Sequence, residues 1–216
     1  MIQDVPSVLF APKSGWIRLR EHADEKTWGF VPVLLLASVI PAISTYIGTA
    51  HVGWEMFGSD YNRLLVPNSA LTLALMVYVG FLVGIAIMSI LTRWVLYRTP
   101  GRPSVPVSMT FITFVSLPFM IGGIAAAFPY RVVILTTAVL TAAWAVYLLF
   151  RGLPVFMHLK RTDETRFYAA CVMAVGILVL VTTAFVCQHI WRATQSSASY
   201  LGYPDDERGF ELNQGE

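Results

Sequence analysis

The stretch "LLVPNSALTLALMVYVGFLVGIAIMSILT", Leu64 to Thr92, contains no Asp, Glu, Lys or Arg. It is apolar on every helical face and exceeds the roughly 20 residues that a helix needs to cross about 30 Å of hydrocarbon. Four further windows are also free of these charges: Thr27–Trp54, Pro103–Tyr130, Val132–Phe150 and Phe167–Trp191. In lipid, a helix satisfies its own backbone hydrogen bonds. We therefore predict an all-α fold, a polytopic membrane bundle of five transmembrane helices.

The overall composition agrees with a membrane protein. Hydrophobic residues make up 56% of the 216 residues and charged residues 13%, which is about half the charged share of a soluble protein. The formal net charge is only +2, and no basic patch of the kind that binds nucleic acid is present. The lipid bilayer is the expected partner, and nucleic acid is excluded.

The distribution of Lys and Arg predicts the orientation. If the N-terminus is inside, eleven of the fifteen Lys and Arg residues lie on the cytoplasmic side, as the positive-inside rule expects. We predict a multi-pass protein of the cell inner membrane, with a cytoplasmic N-terminus and the C-terminus on the far, periplasmic-type side. Residues 1–27 form a cytoplasmic interfacial segment, residues 28–191 the transmembrane domain, and residues 192–216 an acidic, disordered far-side tail.

The N-terminal segment contains an amphipathic pattern in "SGWIRLREHADE". With Ser14 as the N-cap, Trp16, Leu19 and Ala23 share one helical face. Lysines and arginines near an apolar face with Trp are typical of a helix lying in the membrane interface. We predict an in-plane amphipathic helix, and the alternative is that it packs against the loops as ordinary structure without binding lipid. The expected membrane-interface or partner face comprises Phe10, Trp16, Arg18, Leu19, Arg98 and Lys160.

Four motifs resemble a known family: "VPSVLFAPKSGWIRL", "LLLASVIPAISTYIGT", "SLPFMIGGIAAAFP" and "AVYLLFRGLPVFM". Together with the spacing of Phe10, Pro12 and Trp16, they resemble the bacterial branch of the YIP (Ypt/Rab-interacting protein) domain integral membrane family. The resemblance implies five helices, a cytoplasmic N-terminus and a short far-side C-terminus. Eukaryotic members bind prenylated Rab-type GTPases, but this sequence lacks their long N-terminal region and their Tyr-Gly-Tyr-type signature. The GTPase role is therefore not carried over.

Small residues within the spans predict close helix packing. Gly80 and Gly84 form a G-x-x-x-G pair, and Gly122 and Gly123 each precede an alanine by four residues. These residues pack within one bundle or, alternatively, form the seam of a homo-oligomer. Pro118 lacks a backbone N–H and should kink its helix. With Gly122 and Gly123 following, the kink forms a hinge or a small cavity, or only shapes the bundle.

Residues that could carry chemistry are few. No charged residue lies deep in a predicted span, which argues against an ion-coupled pump. His51, Glu55 and His189 are the weak candidates for metal ligands, but no motif of metal-ligand spacing joins them, and we predict no metal, no cofactor and no catalytic residue. The sequence favours a non-enzymatic membrane-organising or adaptor protein with a possible cytoplasmic protein partner. The alternative is a channel or transporter for a neutral or lipidic substrate.

Overall fold

The computed structural model describes residues 1–55, 62–99, 102–128, 130–159, 162–194 and 200–201. Its helices are α1 (Val5–Phe10), α2 (Pro12–Glu25), α3 (Val31–Ile47), α4 (Pro67–Val95), α5 (Val105–Val115), α6 (Leu117–Gly122), α7 (Arg131–Phe156) and α8 (Thr162–Thr194). Single 3-10 turns occupy Ile2–Asp4, Leu96–Arg98 and Gly123–Ala127, and a π turn over Gly48–Val52 extends α3. The predicted all-α class is confirmed.

Three short strands lie outside the helical bundle. They are β1 (Trp54–Glu55), β2 (Asn62–Leu65) and β3 (Tyr200–Leu201). β2 pairs antiparallel with both of the others, with Trp54 opposite Arg63 and Leu65 opposite Tyr200. The pairing joins the connection between α3 and α4 to the chain beyond α8.

Four helical segments in the described part are long and apolar enough to cross a membrane: Val31–Val52, Pro67–Val95, Arg131–Phe156 and Glu164–Ala193. Val105–Val115 and Leu117–Ala127 provide a fifth crossing when they are taken as one bent span. In the most apolar 18-residue stretch of the first span, 44% is buried within the protein. The corresponding share for the last span is 6%. α3 is therefore central, and α8 lies at the periphery.

The third span bends by 41° between α5 and α6. The N–H groups of Phe119 and Met120 both donate to the Ser116 carbonyl, at 3.1 and 3.2 Å. Pro118 has no N–H to donate to the carbonyl of Phe114, so the helical ladder is interrupted there. The kink predicted at Pro118 is confirmed, and beyond it the chain tightens into the 3-10 turn Gly123–Ala127.

The N-terminal segment folds back on the bundle rather than standing apart from it. α2 begins at Pro12 with Ala11 as its N-cap, so the prediction of Ser14 as N-cap is wrong. The Ser14 hydroxyl lies within the first turn and donates to the Ala11 carbonyl at 3.2 Å. α2 packs against α7, and we call the end of the bundle where they meet the near end.

Candidate functional site

The contact between α2 and the bundle is centred on three aromatic rings. The ring centroid of Trp16 lies 5.1 Å from that of Phe111 and 5.7 Å from that of Phe156. The Phe111 and Phe156 centroids are 5.5 Å apart. All three side chains are fully buried, and they join α2, α5 and α7. Such tilted and edge-on pairs contribute about 0.5–1.5 kcal/mol each beyond the burial of their area.

A glycine in α7 makes room for the indole ring. A Cβ atom on Gly152 would overlap Cε2 of Trp16 and would lie 2.7 Å from its Cζ2. Glycine in a helix interior costs about 1 kcal/mol relative to alanine. Burial of the large Trp16 side chain against the α7 backbone at Gly152, where no side chain intervenes, offsets this cost. Gly152 is therefore a notch into which the indole fits.

The two helices of the N-terminal segment also lie close together. A Cβ on Gly15 would lie 2.5 Å from the Ser7 carbonyl oxygen and 2.7 Å from the Val8 Cα. Val8 is fully buried. Glycine at position 15 thus allows α1 to pack on α2, and we refer to α1 and α2 together (Val5–Glu25) as the clamp.

Two polar contacts also involve the clamp: one joins it to the end of α7, and the other joins it to the turn that precedes it. Nη1 of Arg20 donates to the Phe156 carbonyl at 3.0 Å, and the guanidinium lies 5.4 Å from the Phe156 ring centroid. The same guanidinium pairs with Asp24 at 3.0 Å. A cation at the carbonyl end of α7 is favoured by the helix dipole. The second contact is made by the carboxylate of Asp4, 3% exposed, whose Oδ2 lies 2.8 Å from Nδ1 of His22.

The residues predicted to form the membrane or partner face therefore do not all lie on one exposed surface. Phe10 is 85% exposed and Arg18 is exposed. Trp16 and Leu19 are fully buried, so their assignment to a lipid or partner face is wrong. Protein rather than lipid covers the apolar face of α2, as the alternative interpretation expected. The side chain of Arg98 and the whole of Lys160 lie outside the described residues.

Sequence reasoning missed several residues of this contact: Gly152, Phe111, Phe156 and Arg20. Gly152 and Phe156 both lie in "RGLPVF", and Trp16 lies in "SGWIRL". Those two motifs contact each other in the structure, which single-sequence periodicity does not reveal. The available signal was an isolated glycine within a helical pattern, which often has a packing reason.

The glycine pairs in the spans pack against helices of the same chain. A Cβ on Gly122 would overlap Cγ2 of Thr141, and one on Gly123 would lie 2.5 Å from Cβ of Pro41. Gly80 and Gly84 face α8 with more space, because a Cβ there would lie 3.4 Å from Cys187 Sγ and 3.6 Å from Thr183 Oγ1 respectively. Packing within one bundle is thus the interpretation that these contacts support.

A crevice of about 270 Å³ lies where α3, α4, α7 and the Gly123–Ala127 turn meet. Its lining is almost wholly apolar, and two of its three threonine hydroxyls, those of Thr45 and Thr141, donate within their own helices. Thr45 donates to the Pro41 carbonyl at 2.7 Å, and Thr141 donates to the Thr137 carbonyl at 2.8 Å. The crevice adjoins the predicted kink, but it offers no row of free polar groups to a solute.

Some buried polar atoms find no partner among the described residues. They are the indole nitrogen of Trp16 and the hydroxyls of Thr92, Ser108 and Thr113. None of these four residues lines the crevice. They do not extend it into a polar path.

The candidate metal ligands lie near the opposite end of the bundle. His51 is exposed, and its ring centroid lies 6.0 Å from that of Tyr46. His189 is exposed in the last turns of α8, and the side chain of Glu55 is outside the described part. Within that part, no three His, Cys, Asp or Glu residues form a group that could hold a metal ion.

Comparison with known proteins identifies the family. The chain is 29% identical over 158 residues to "Inner membrane protein YohC" of Escherichia coli strain K12, covering 73% of this chain and 80% of that protein. The protein of the same name from Escherichia coli O6:H1 matches equally. No solved structure matches the chain. The model of the Yip1 domain matches residues 7–183, from the clamp into α8, and so confirms the resemblance found in the sequence. The chain belongs to the Yip1 domain family.

Proposed function

We propose that this protein is a non-enzymatic membrane organiser or adaptor of the cell inner membrane, with its near end in the cytoplasm. The observation that carries the proposal is the fixed seating of the clamp. Trp16 and Arg20 hold it on α7 by buried or partly buried contacts, and Asp4 joins the turn before the clamp to His22 of α2. A segment held so firmly presents a preformed surface, and preformed surfaces lose little entropy when a partner binds.

The exposed side of the clamp fits a protein partner better than it fits lipid alone. Its exposed charges are of both signs: Lys13, Arg18, Glu21, Asp24 and Glu25. Beside them lie two exposed apolar side chains, Phe10 at 85% and Ile17 at 52%. Apolar anchors surrounded by mixed charge are typical of protein interfaces. An anionic membrane would instead favour a uniformly basic surface.

The bundle offers less to the alternative, a channel or transporter for a neutral or lipidic substrate. Such a protein needs a passage, and the crevice beside Gly122 and Gly123 is apolar and confined to one half of the bundle. Hydroxyls within the spans, such as those of Ser38 and Ser89, donate to carbonyls of their own helix at 2.7 and 2.6 Å. No observation in the described residues therefore favours transport.

The absence of enzymatic activity is part of the proposal. The buried and partly buried titratable groups at the clamp are engaged in structural contacts, as Asp4 is with His22 and Arg20 is with Asp24. A catalytic site needs a pocket in which a nucleophile, an acid or a base can reach a substrate. The crevice beside Gly122 and Gly123 holds no such pair of groups.

The test is co-purification of the full-length protein in nanodiscs of native lipid, followed by mass spectrometry of bound proteins, lipids and metals. Wild type is compared with Arg18→Glu, on the exposed side of the clamp, and with Arg192→Glu, an exposed arginine at the opposite end of the bundle. We expect a stoichiometric cytoplasmic protein with wild type and Arg192→Glu, and its loss with Arg18→Glu. Retention of a defined small molecule or a metal at one per chain, without a protein partner, would overturn the proposal.

A further inference from the structure

Two arginines and two aromatic residues form a cluster on the outer surface at the near end of α4. Trp94 is 76% exposed and Tyr97 is 58% exposed. Arg93 is exposed in the last turn of α4, and Arg102 is exposed in the following loop. The Arg102 guanidinium lies 5.8 Å from the centroid of the Tyr97 ring. A surface recess of about 340 Å³ lies within the cluster, and it is lined by Ile90, Arg93, Trp94 and Tyr97.

Hydrogen bonds connect the described residues that flank this connection, Thr99 and Arg102, to the end of α4. Both the N–H and the hydroxyl of Thr99 donate to the Leu96 carbonyl, at 3.0 and 2.7 Å. The N–H of Arg102 in turn donates to the Thr99 carbonyl at 3.2 Å. Arg102 has a φ of 26°, a region that non-glycine residues seldom occupy. The guanidinium of Arg102 lies within the distance at which a cation is attracted to an aromatic ring.

The positions of these residues along α4 match the layers of a bilayer. Ile90, 54% exposed, lies one turn before Trp94 and faces outward from an apolar span. Trp and Tyr concentrate where hydrocarbon meets headgroups, and arginine side chains extend to the headgroup level. Ile90 would thus contact acyl chains, while Trp94 and Tyr97 lie at the boundary. Arg93 and Arg102 would then reach the level of the phosphates.

The charges of the cluster are not neutralised by the protein. Neither the Arg93 nor the Arg102 guanidinium has a carboxylate partner among the residues that the structure describes. Arg93 and Tyr97 line the same recess, and the Arg102 guanidinium lies beside Tyr97, so both guanidiniums belong to one surface cluster. Arginine binds phosphate oxygens through its planar fork of N–H donors. The lining of the recess is mostly apolar and includes Arg93, and Arg102 lies against Tyr97, another of its lining residues.

We propose that this cluster is a binding site for one anionic phospholipid, with the phosphate held by Arg93 and Arg102 and an acyl chain along Ile90. The occupant is a membrane lipid rather than free phosphate because the recess is mostly apolar and Ile90, at its edge, belongs to an apolar span. The site is separate from the clamp surface, whose charges are mixed. It acts as a fixed lipid contact whether or not the clamp binds a protein.

Native mass spectrometry of the full-length protein in detergent tests the site. The probes are dioleoyl phosphatidylglycerol, dioleoyl phosphatidylcholine with identical chains, and inorganic phosphate. Each arginine near a membrane surface contributes about fivefold in affinity, so the loss of both lowers anionic lipid retention by about 25-fold. We expect this loss in R93Q/R102Q, no loss in R192Q, and retention in R93K/R102K that is intermediate, because charge remains without the fork.

Thermal unfolding of each variant shows whether it is folded, and the lysine pair keeps the test meaningful if the glutamine pair does not fold. Equal retention of phosphatidylglycerol by wild type and R93Q/R102Q would overturn the proposal. Equal retention of phosphatidylcholine and phosphatidylglycerol by wild type would overturn the requirement for an anionic headgroup. Displacement of the lipid by inorganic phosphate alone would show that the site recognises phosphate and not a lipid.

Discussion

The Trp16 indole rests on Gly152 so closely that a single methyl group at position 152 would overlap the ring. Both residues lie within the family match, which covers residues 7–183. Their contact joins α2, which precedes the first span, to the near end of α7, the fourth span. The clamp is therefore part of the folded core of the protein, and its loss should affect the bundle as well as any partner.

We expect Gly152→Ala to destabilise the protein and to release the clamp. Alanine would force Trp16, which is fully buried between Phe111 and Phe156, out of its position, and overpacking of this kind costs about 1–3 kcal/mol. The measurements are thermal unfolding in detergent and the rate of tryptic cleavage after Lys13 and Arg18. Unfolding should begin at a lower temperature, and cleavage should be faster.

Gly84→Ala is the matched control for this change. Both glycines lie within helices, so both alanine variants gain the same helix propensity, about 1 kcal/mol. A Cβ at Gly84 meets only Thr183 Oγ1 at 3.6 Å, an ordinary contact. If the two variants unfolded at the same temperature and were cleaved at the same rate, the Trp16–Gly152 contact would not hold the clamp.

We expect Arg20→Gln to weaken the same attachment through a polar contact. The change removes the hydrogen bond to the Phe156 carbonyl and the pair with Asp24. A hydrogen bond that involves a charged group contributes about 1.5–3 kcal/mol, and the partial exposure of this one places it at the lower limit. Arg18→Gln, which alters an exposed side chain two residues earlier, should change stability by less than about 0.5 kcal/mol. Chemical unfolding of both variants gives the comparison, and a larger effect of Arg18→Gln would contradict the assignment.

The spans and the sharp bend at Pro118 could be predicted because few backbone conformations are stable in lipid. Charge-free windows become helices since no other structure satisfies the backbone in hydrocarbon. The bend at Pro118 follows from a missing N–H. Both features depend on local chemistry, which the sequence states directly.

The covering of the N-terminal helix could not be predicted in the same way. The spacing of Trp16, Leu19 and Ala23 indicates an apolar face, but lipid and protein cover such a face equally well. The choice depends on a glycine notch more than a hundred residues away, and Gly152 looks like any other glycine in a single sequence. Likewise, the pairing of Arg20 with the end of α7 requires knowledge of where that helix ends in space.

We expect Gly123→Ala to be destabilising and Gly80→Ala to be tolerated, although each lies in a small-residue motif. A Cβ at Gly123 would lie 2.5 Å from Cβ of Pro41 and 2.8 Å from its Cα, whereas a Cβ at Gly80 would lie 3.4 Å from Cys187 Sγ. Pro41 is part of a helix and cannot withdraw, so the cost at Gly123 should be about 1–3 kcal/mol. The temperature of unfolding measures both.

The same pair of variants addresses self-association. If Gly80 and Gly84 pack on α8 within one chain, Gly80→Ala should leave the mass of the protein–detergent complex unchanged, as measured by light scattering. A fall from dimer to monomer in Gly80→Ala alone would contradict the intramolecular assignment. It would instead indicate a homo-oligomer seam along α4.

The orientation predicted from the positive-inside pattern has a direct test. In a background with Cys171→Ala and Cys187→Ala, single cysteines are introduced as Ser14→Cys on the clamp and Asn68→Cys at the start of α4, both at exposed positions. These positions lie at opposite ends of the bundle, because α4 runs from the far end to the near end. A membrane-impermeant maleimide added to intact spheroplasts should label Asn68→Cys and not Ser14→Cys, and lysis should make both reactive. Labelling of Ser14→Cys in intact spheroplasts would place the clamp outside the cytoplasm, where it could not bind a cytoplasmic partner. It would also contradict the orientation predicted from the eleven of fifteen Lys and Arg residues assigned to the cytoplasmic side.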